Sequence, residues 1–275
     1  MKQRIVTGLI LAAIAITFIL LSSDPLFAGL LGMVWLLASW EWTRLIGMPS
    51  LAARIVAVLV YALLMAALWS VRGEWPWWAA IAAGMLWWLL SLAWMRHFSF
   101  AASPTSGNRL FKLCAGSLVL LPSWVALVEM HNNPQLGAVW TLFALVLVWA
   151  ADSFAYFAGS RFGRNKLAPR ISPGKTLEGV WGALAGSGIV ACAGGWWLGE
   201  RGWPLLLLVG LGLLCVIFSV IGDLFESLMK RQANVKDSGA LFPGHGGLLD
   251  RLDGVFAAMP VFVAGKTVID LLFPT

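Results

Sequence analysis

Apolar residues dominate this chain in long blocks, and polar residues fall between the blocks rather than alternating within them. Such a pattern lacks both the period-two alternation of a half-buried strand and the single stripe of a surface helix. It belongs to helices that are apolar all round. Taking about 20 apolar residues per bilayer crossing, nine membrane helices are predicted, at 5–21, 25–40, 51–69, 75–95, 110–129, 136–158, 177–198, 203–228 and 248–273. The second is short enough to be re-entrant. The expected fold is an all-α, polytopic integral membrane protein, with no soluble domain and no clear internal repeat. The first five spans are nearly free of polar residues, whereas the last four hold the unusual ones. The chain therefore divides into an N-terminal scaffold, 1–134, and a C-terminal functional half, 135–275.

Composition sharpens this picture. The 275 residues are 60% hydrophobic and 12% charged, with a mean hydropathy of +0.84, more apolar surface than a soluble domain of this size can hide. Tryptophans such as Trp40, Trp42, Trp75, Trp77, Trp78, Trp196, Trp197 and Trp203 suit membrane interfaces. Cys114, Cys192 and Cys215 lie in apolar runs without metal spacing and read as small core residues. The first run follows Lys2 and Arg4 and is longer than a signal core, so it reads as a retained anchor, with Leu26-Phe27-Ala28 leaving cleavage open.

Net charge is +6, and all but Arg72, Arg201 and Lys266 of the 19 basic residues fall on the loops of the N-terminal side. The positive-inside rule then puts the N-terminus in the cytoplasm and the C-terminus outside. It also puts both long polar loops, 159–176 and 230–247, on the cytoplasmic face. Basic residues spread in this way suit an anionic membrane surface and argue against a nucleic-acid partner.

Charge is scarce, so its concentration at 227–253 draws attention. That stretch carries Lys230, Arg231, Lys236, Asp237, His245, Asp250, Arg251 and Asp253 among glycines. Basic side chains suit phosphate oxygens, and Gly244-His245-Gly246-Gly247 before a helix lets backbone N–H groups approach an anion. The plain alternative is a solvated connector, which needs no carboxylate pair and no Gly-Gly at a helix start. His245 either contacts phosphate or pins the loop.

A second constellation surrounds the sixth span. Asp152 and Tyr156 are four apart near its cytoplasmic end, where a carboxylate is a functional candidate or a salt-bridge partner of another helix. Ser172-Pro173-Gly174-Lys175-Thr176 then sets a turn, a lysine and a hydroxyl directly before a helix, with Glu178 in its first turn. This is a local phosphate-binding solution at most: Pro169 stands where a P-loop needs its first glycine, and no strand is predicted before it. In the eighth span, Glu226 and Lys230 form an i,i+4 pair, while Asp223 has no such partner in its own helix. With Asp250, Asp223 would hold Mg²⁺, which takes oxygen ligands and keeps substrate phosphates in its shell. Lys266 and Asp270 pair with each other or snorkel outward. His97 and His131 fall in connectors.

These residues carry a resemblance. Ser227-Leu228-Met229-Lys230-Arg231, Lys236-Asp237-Ser238-Gly239, Pro243-Gly244-His245-Gly246-Gly247 and Asp250-Arg251-Leu252-Asp253, at their spacing, look like the signature of the phosphatidate cytidylyltransferase (CDP-diacylglycerol synthase) family. The segment Asp152 to Gly179 is similar to its second characteristic block. Some relatives carry a second lysine where this chain has Gly174, which leaves the phosphate role to Lys175. The resemblance implies transfer of cytidylyl from CTP to phosphatidic acid, giving CDP-diacylglycerol and pyrophosphate, with Mg²⁺ as cofactor. Carried over, Asp152, Lys175, Asp223 and Asp250 become catalytic, and Asp223 and Asp250 the metal ligands. Ser172, Lys175, Thr176, Lys230, Arg231, Lys236, His245 and Arg251 contact the substrates. The expected setting is a bacterial-type inner membrane with the site on its cytoplasmic side, and a homodimer is a candidate assembly. The rival class is an ion- or proton-coupled transporter using Asp152 and Asp223.

Overall fold

The computed structural model of the protein describes residues 2–241 and 246–274, with side chains from residue 12 onward. Nine helices follow one another: α1 Lys2–Leu21, α2 Asp24–Leu45, α3 Leu51–Ser70, α4 Trp75–Arg96, α5 Ser106–His131, α6 Gly137–Phe162, α7 Leu177–Trp197, α8 Gly202–Gln232 and α9 Leu249–Leu272. Eight of them, α2 to α9, are long and apolar enough to cross a membrane. The polytopic all-helical reading is therefore right. The second span is no short re-entrant piece: α2 runs for 22 residues, because Glu41, Thr43 and Leu45 at its end are buried by protein.

Between α6 and α7 stands the one β-sheet among the described residues. Strands β1 Lys166–Ala168 and β2 Ser172–Thr176 form an antiparallel hairpin, with Lys166 opposite Thr176 and Ala168 opposite Ser172. Sequence pattern gave no strand here. The hairpin holds because Glu178 at the start of α7 accepts hydrogen bonds from Arg164 N–H at 3.1 Å and Asn165 Nδ2 at 2.7 Å. Thr176 Oγ1 accepts from Gly179 N–H and caps α7.

One apolar core runs through both halves of the chain, from Phe27 and Trp42 to Phe256 and Phe262. Trp42 and Trp77, expected at interfaces, are fully buried. Each satisfies its indole N–H on α5: Trp42 donates to the Lys112 carbonyl at 2.9 Å and Trp77 to Glu129 Oε2 at 2.7 Å. Trp75, Trp196, Trp197 and Trp203 are exposed, as expected of anchors. Cys114 and Cys192 face outward, and only Cys215 is a core residue. His131 is no connector residue: it ends α5, lies buried, and meets the Asp24 carboxylate at 3.0 Å and the Ile19 carbonyl at 2.9 Å. Lys266 pairs with Asp270 and, at 3.4 Å, with Glu200.

Small residues set the close contacts. Gly182 and Gly186 let α7 settle against Ala158 and Phe154 of α6. Gly116 on α5 leaves room for Trp42 Nε1 and the Tyr61 hydroxyl; a Cβ there would stand 2.6 Å from the latter. Tyr61 also donates to the Leu113 carbonyl. Gly116→Ala is accordingly expected to lower stability by about 1–3 kcal/mol, through overpacking and two disturbed hydrogen bonds. Thermal melting of the purified protein reads that loss; an unchanged melting temperature would contradict the packing.

Helix α8 has 31 residues. At 1.5 Å per residue it is about 46 Å long, against a hydrocarbon slab of about 30 Å. The charged residues of α8, Asp223, Glu226, Lys230 and Arg231, and with them Gln232, all fall in its last ten positions, which is where the excess length belongs. There they meet the hairpin (Arg231 Nε donates to the Ile171 carbonyl at 3.3 Å) and the turn after α4 (Gln232 Nε2 donates to the Phe98 carbonyl at 2.8 Å). The start of α9 joins them through Asp250, which meets Lys230 of α8. All the polar connectors that matter thus gather at one end of the bundle.

Candidate active site

A cavity of about 420 Å³ opens at that end, between α6, the hairpin, α7 and α8. Its polar wall contains Asp152, Lys175, Thr176, Ser219 and Asp223, and small apolar residues such as Ala151, Ala155 and Ala183 form much of the remainder. Lys175, Thr176 and Asp223 lie 23 to 71 residues along the chain from Asp152. Tertiary structure brings all four to one wall.

Lys175 is the last residue but one of β2, and the hairpin delivers its ammonium to the Asp223 carboxylate as an ion pair. The cationic partner that Asp223 lacks within α8 comes from another element. Ser227 Oγ donates to Asp223 Oδ1 at 3.4 Å. Asp152 lies within electrostatic reach of Asp223, Lys175 and Arg251. Asp253, half-buried in the second turn of α9, acts on Asp223 and on Glu226 in the same way.

A network continues from there. Lys230 bridges two carboxylates, Glu226 Oε2 at 3.2 Å and Asp250 Oδ1 at 2.6 Å. The expected i,i+4 pair is therefore present, and it has a third member. The other oxygen of Asp250 accepts from Ser238 N–H at 2.9 Å, Ser238 Oγ at 2.9 Å and Gly247 N–H at 2.7 Å. Asp250 thus ties α8, the 236–239 segment and the start of α9 together. It does not line the cavity, and neither do Ser172, Lys230, Arg231, Lys236 or Arg251. Ser172 pairs with Ala168 in the hairpin, Arg231 holds the hairpin carbonyl, and Lys236 is exposed on its loop. His245 lies outside the described residues.

Two acidic side chains are thus each neutralised by an ammonium, Asp223 by Lys175 and Asp250 by Lys230. Both positions already accommodate positive charge, and their donors are hard carboxylate oxygens. That donor chemistry fits Mg²⁺, which takes one or two carboxylates and fills its shell with water and phosphate oxygens. No group of three or more ligating side chains converges among the described residues, so phosphate or water oxygens would have to complete such a shell.

Sequence reasoning missed Glu41 and gave Ser238 no role beyond its place in the signature. Glu41 accepts from Leu248 N–H at 3.0 Å and Leu249 N–H at 2.9 Å, and its Oε2 lies 3.0 Å from the Ser238 hydroxyl, whose one proton it shares with Asp250. The available signal was a lone carboxylate in the apolar run Ser39-Trp40-Glu41-Trp42.

The fold and the site are those of a helical membrane bundle with a lysine–carboxylate cavity at one end. The chain matches the Cytidylyltransferase family over residues 2–268, and it belongs to that family. Among its relatives are proteins named phosphatidate cytidylyltransferase. The one from Pseudomonas aeruginosa is 42% identical over 267 residues, covering 96% of each chain. That from Haemophilus influenzae is 32% identical over 286 residues, covering 95% of this chain and 97% of the relative. That from Bacillus subtilis is 31% identical over 270 residues, covering 94% and 95%. The protein is a membrane-embedded nucleotidyltransferase.

Proposed function

We propose that the protein transfers cytidylyl from CTP to phosphatidic acid at the cytoplasmic face of a bacterial membrane, releasing pyrophosphate, with Mg²⁺ required. The observation that carries this reading is the convergence of Asp152, Lys175, Thr176 and Asp223 on one cavity whose other lining is largely apolar. A lysine and a hydroxyl suit phosphate oxygens, and the apolar wall suits the glycerol end of a lipid. The names of the relatives support the substrates, and the basic loops at this end support the cytoplasmic side.

The chemistry asks little of a protein base. An oxygen of the lipid phosphate, ionised at neutral pH, forms the new bond to the α-phosphorus of CTP. The bond from that phosphorus to the oxygen bridging to the β-phosphorus breaks, and pyrophosphate leaves with the electron pair. The barrier is the mutual repulsion of two polyanions, so positioning and charge cancellation do the catalysis. Lys175 turns from Asp223 to phosphate oxygens, and Thr176 donates its hydroxyl proton beside it. Asp223 and Asp250 are the carboxylates that would hold a Mg²⁺ ion, which would supply positive charge at the phosphates; Asp250 would then have to give up its Lys230 contact. Lys230, Arg231, Lys236 and Arg251 lend positive charge to the mouth of the site, and Asp152 orients Lys175 and Arg251.

A transporter would also explain carboxylates at membrane depth, but Asp223 bound to a hairpin lysine offers no path across the bilayer. The test uses purified protein in detergent micelles with phosphatidic acid, Mg²⁺ and CTP labelled at either the α- or the γ-phosphate. Label is expected in the extracted lipid from α-labelled CTP alone, and EDTA is expected to abolish it. Lipid label from γ-labelled CTP would instead mean a kinase, and no lipid label at all would remove the proposal.

A further inference from the structure

Helix α9 begins without a cap of its own. Its N-cap residue is Leu248, whose side chain accepts nothing, and yet the first turn carries Asp250 and Arg251. The acceptor comes from 207 residues earlier, where Glu41 of α2 receives the N–H groups of both Leu248 and Leu249. A carboxylate at this place satisfies two orphan donors and opposes the positive end of the helix. Glu41 is only 8% exposed, and none of the described ion pairs includes it, so these donors are what stabilise its buried charge.

The loop is built around the same carboxylate. A Cβ on Gly239 would run into Glu41 Oε1, and one on Gly247 would press on Ser238 Oγ and Glu41 Oε2. Ser238 has one hydroxyl proton, and that hydroxyl lies 3.0 Å from Glu41 Oε2 and 2.9 Å from Asp250 Oδ2. It therefore donates to one of the two at a time. Asp250 in turn is oriented by the N–H groups of Ser238 and Gly247, which belong to the segments that Glu41 grips.

We propose that Glu41 is a positioning residue of the transfer reaction: from the N-terminal half it fixes the start of α9 and the Ser238–Gly239 segment, and so aims the Asp250 carboxylate. This rests on the cytidylyltransferase reading given above. Were Asp250 to give up Lys230 for a cation, the Ser238 hydroxyl could still donate to Glu41, so the loop would keep an anchor. Glu41 touches no substrate and acts through Asp250.

The test compares Glu41→Gln with wild type, as the full chain in detergent, by amide hydrogen exchange and by steady-state kinetics. Gln keeps the shape, but puts an NH₂ where an oxygen accepted and removes the charge. Exchange in the 246–252 peptide is expected to quicken about tenfold or more, as suits loss of a charge-assisted hydrogen bond. Turnover per folded molecule should fall about tenfold and half-saturating Mg²⁺ rise comparably, with the KM for phosphatidic acid within about twofold. Unchanged exchange overturns the contact, and faster exchange with wild-type turnover and Mg²⁺ dependence overturns the positioning role. Should Glu41→Gln fail to fold, Ser238→Ala removes one of the three donors and is expected to shift the same readings in the same direction. Wild-type kinetics in that variant would also overturn the proposal. A wild-type protein without transferase activity would remove the functional reading instead, and the exchange measurement would still decide the Glu41 contact.

Discussion

Asparagine in place of Asp223 is expected to abolish cytidylyl transfer, by roughly 10³-fold or more, the scale on which preorganised charge at a reacting phosphate matters. Asp223 lines the cavity, and its contacts are the Lys175 ammonium and the Ser227 hydroxyl. Apart from its ion pair to the hairpin, it holds no helix end and no loop. Expression, membrane insertion and thermal melting should therefore stay near wild type while label transfer to lipid disappears. Turnover within about tenfold of wild type would take Asp223 out of the metal site. A variant that is both inactive and unfolded would mean that the Lys175–Asp223 pair is structural.

Asp250→Asn is expected to differ in kind. Both oxygens of Asp250 are in use, one by Lys230 and the other by two N–H groups and a hydroxyl. An amide replaces one of these acceptors by a donor and removes the counter-charge of a largely buried ammonium. Breaking such a pair costs about 2–4 kcal/mol, somewhat below the fully buried case because Lys230 keeps Glu226. The variant should melt measurably lower than wild type and lose transfer by about 10²–10³-fold. Activity lost without any change in melting would assign Asp250 to the metal alone. Melting lowered with transfer intact would make it a purely structural clasp and leave Asp223 as the sole anchor.

Much of this arrangement is readable from residue order, and the failures have physical causes. The spans were legible because a bilayer accepts only helices of a set length, so a run of apolar residues is both necessary and nearly sufficient. Lys175, Asp223 and Asp250 stood out because charge is scarce in this chain. The hairpin was missed because its strands are short and polar, without the alternation that marks a half-buried strand. It exists through the Glu178 contacts rather than through strand propensity. Trp42 and Trp77 were misplaced because an indole N–H at the level of sequence points to an interface, and His131 because the fifth span was ended two residues short of it. In the folded protein α5 and α2 supply the acceptors, and burial becomes possible.

Glu41 is the sharpest case. A single glutamate between two tryptophans reads equally as a snorkelling end residue or as noise in an apolar run. Its partners lie some two hundred residues away and are mostly backbone N–H groups, which leave no trace in side-chain identity. By residue order alone, this chain is committed to a helical membrane bundle with its charge gathered on one side, because transfer free energy acts on each segment separately. Which carboxylate meets which ammonium, and which helix receives its missing cap from another, only the packed structure decides, because those choices depend on distances that close when the segments come together.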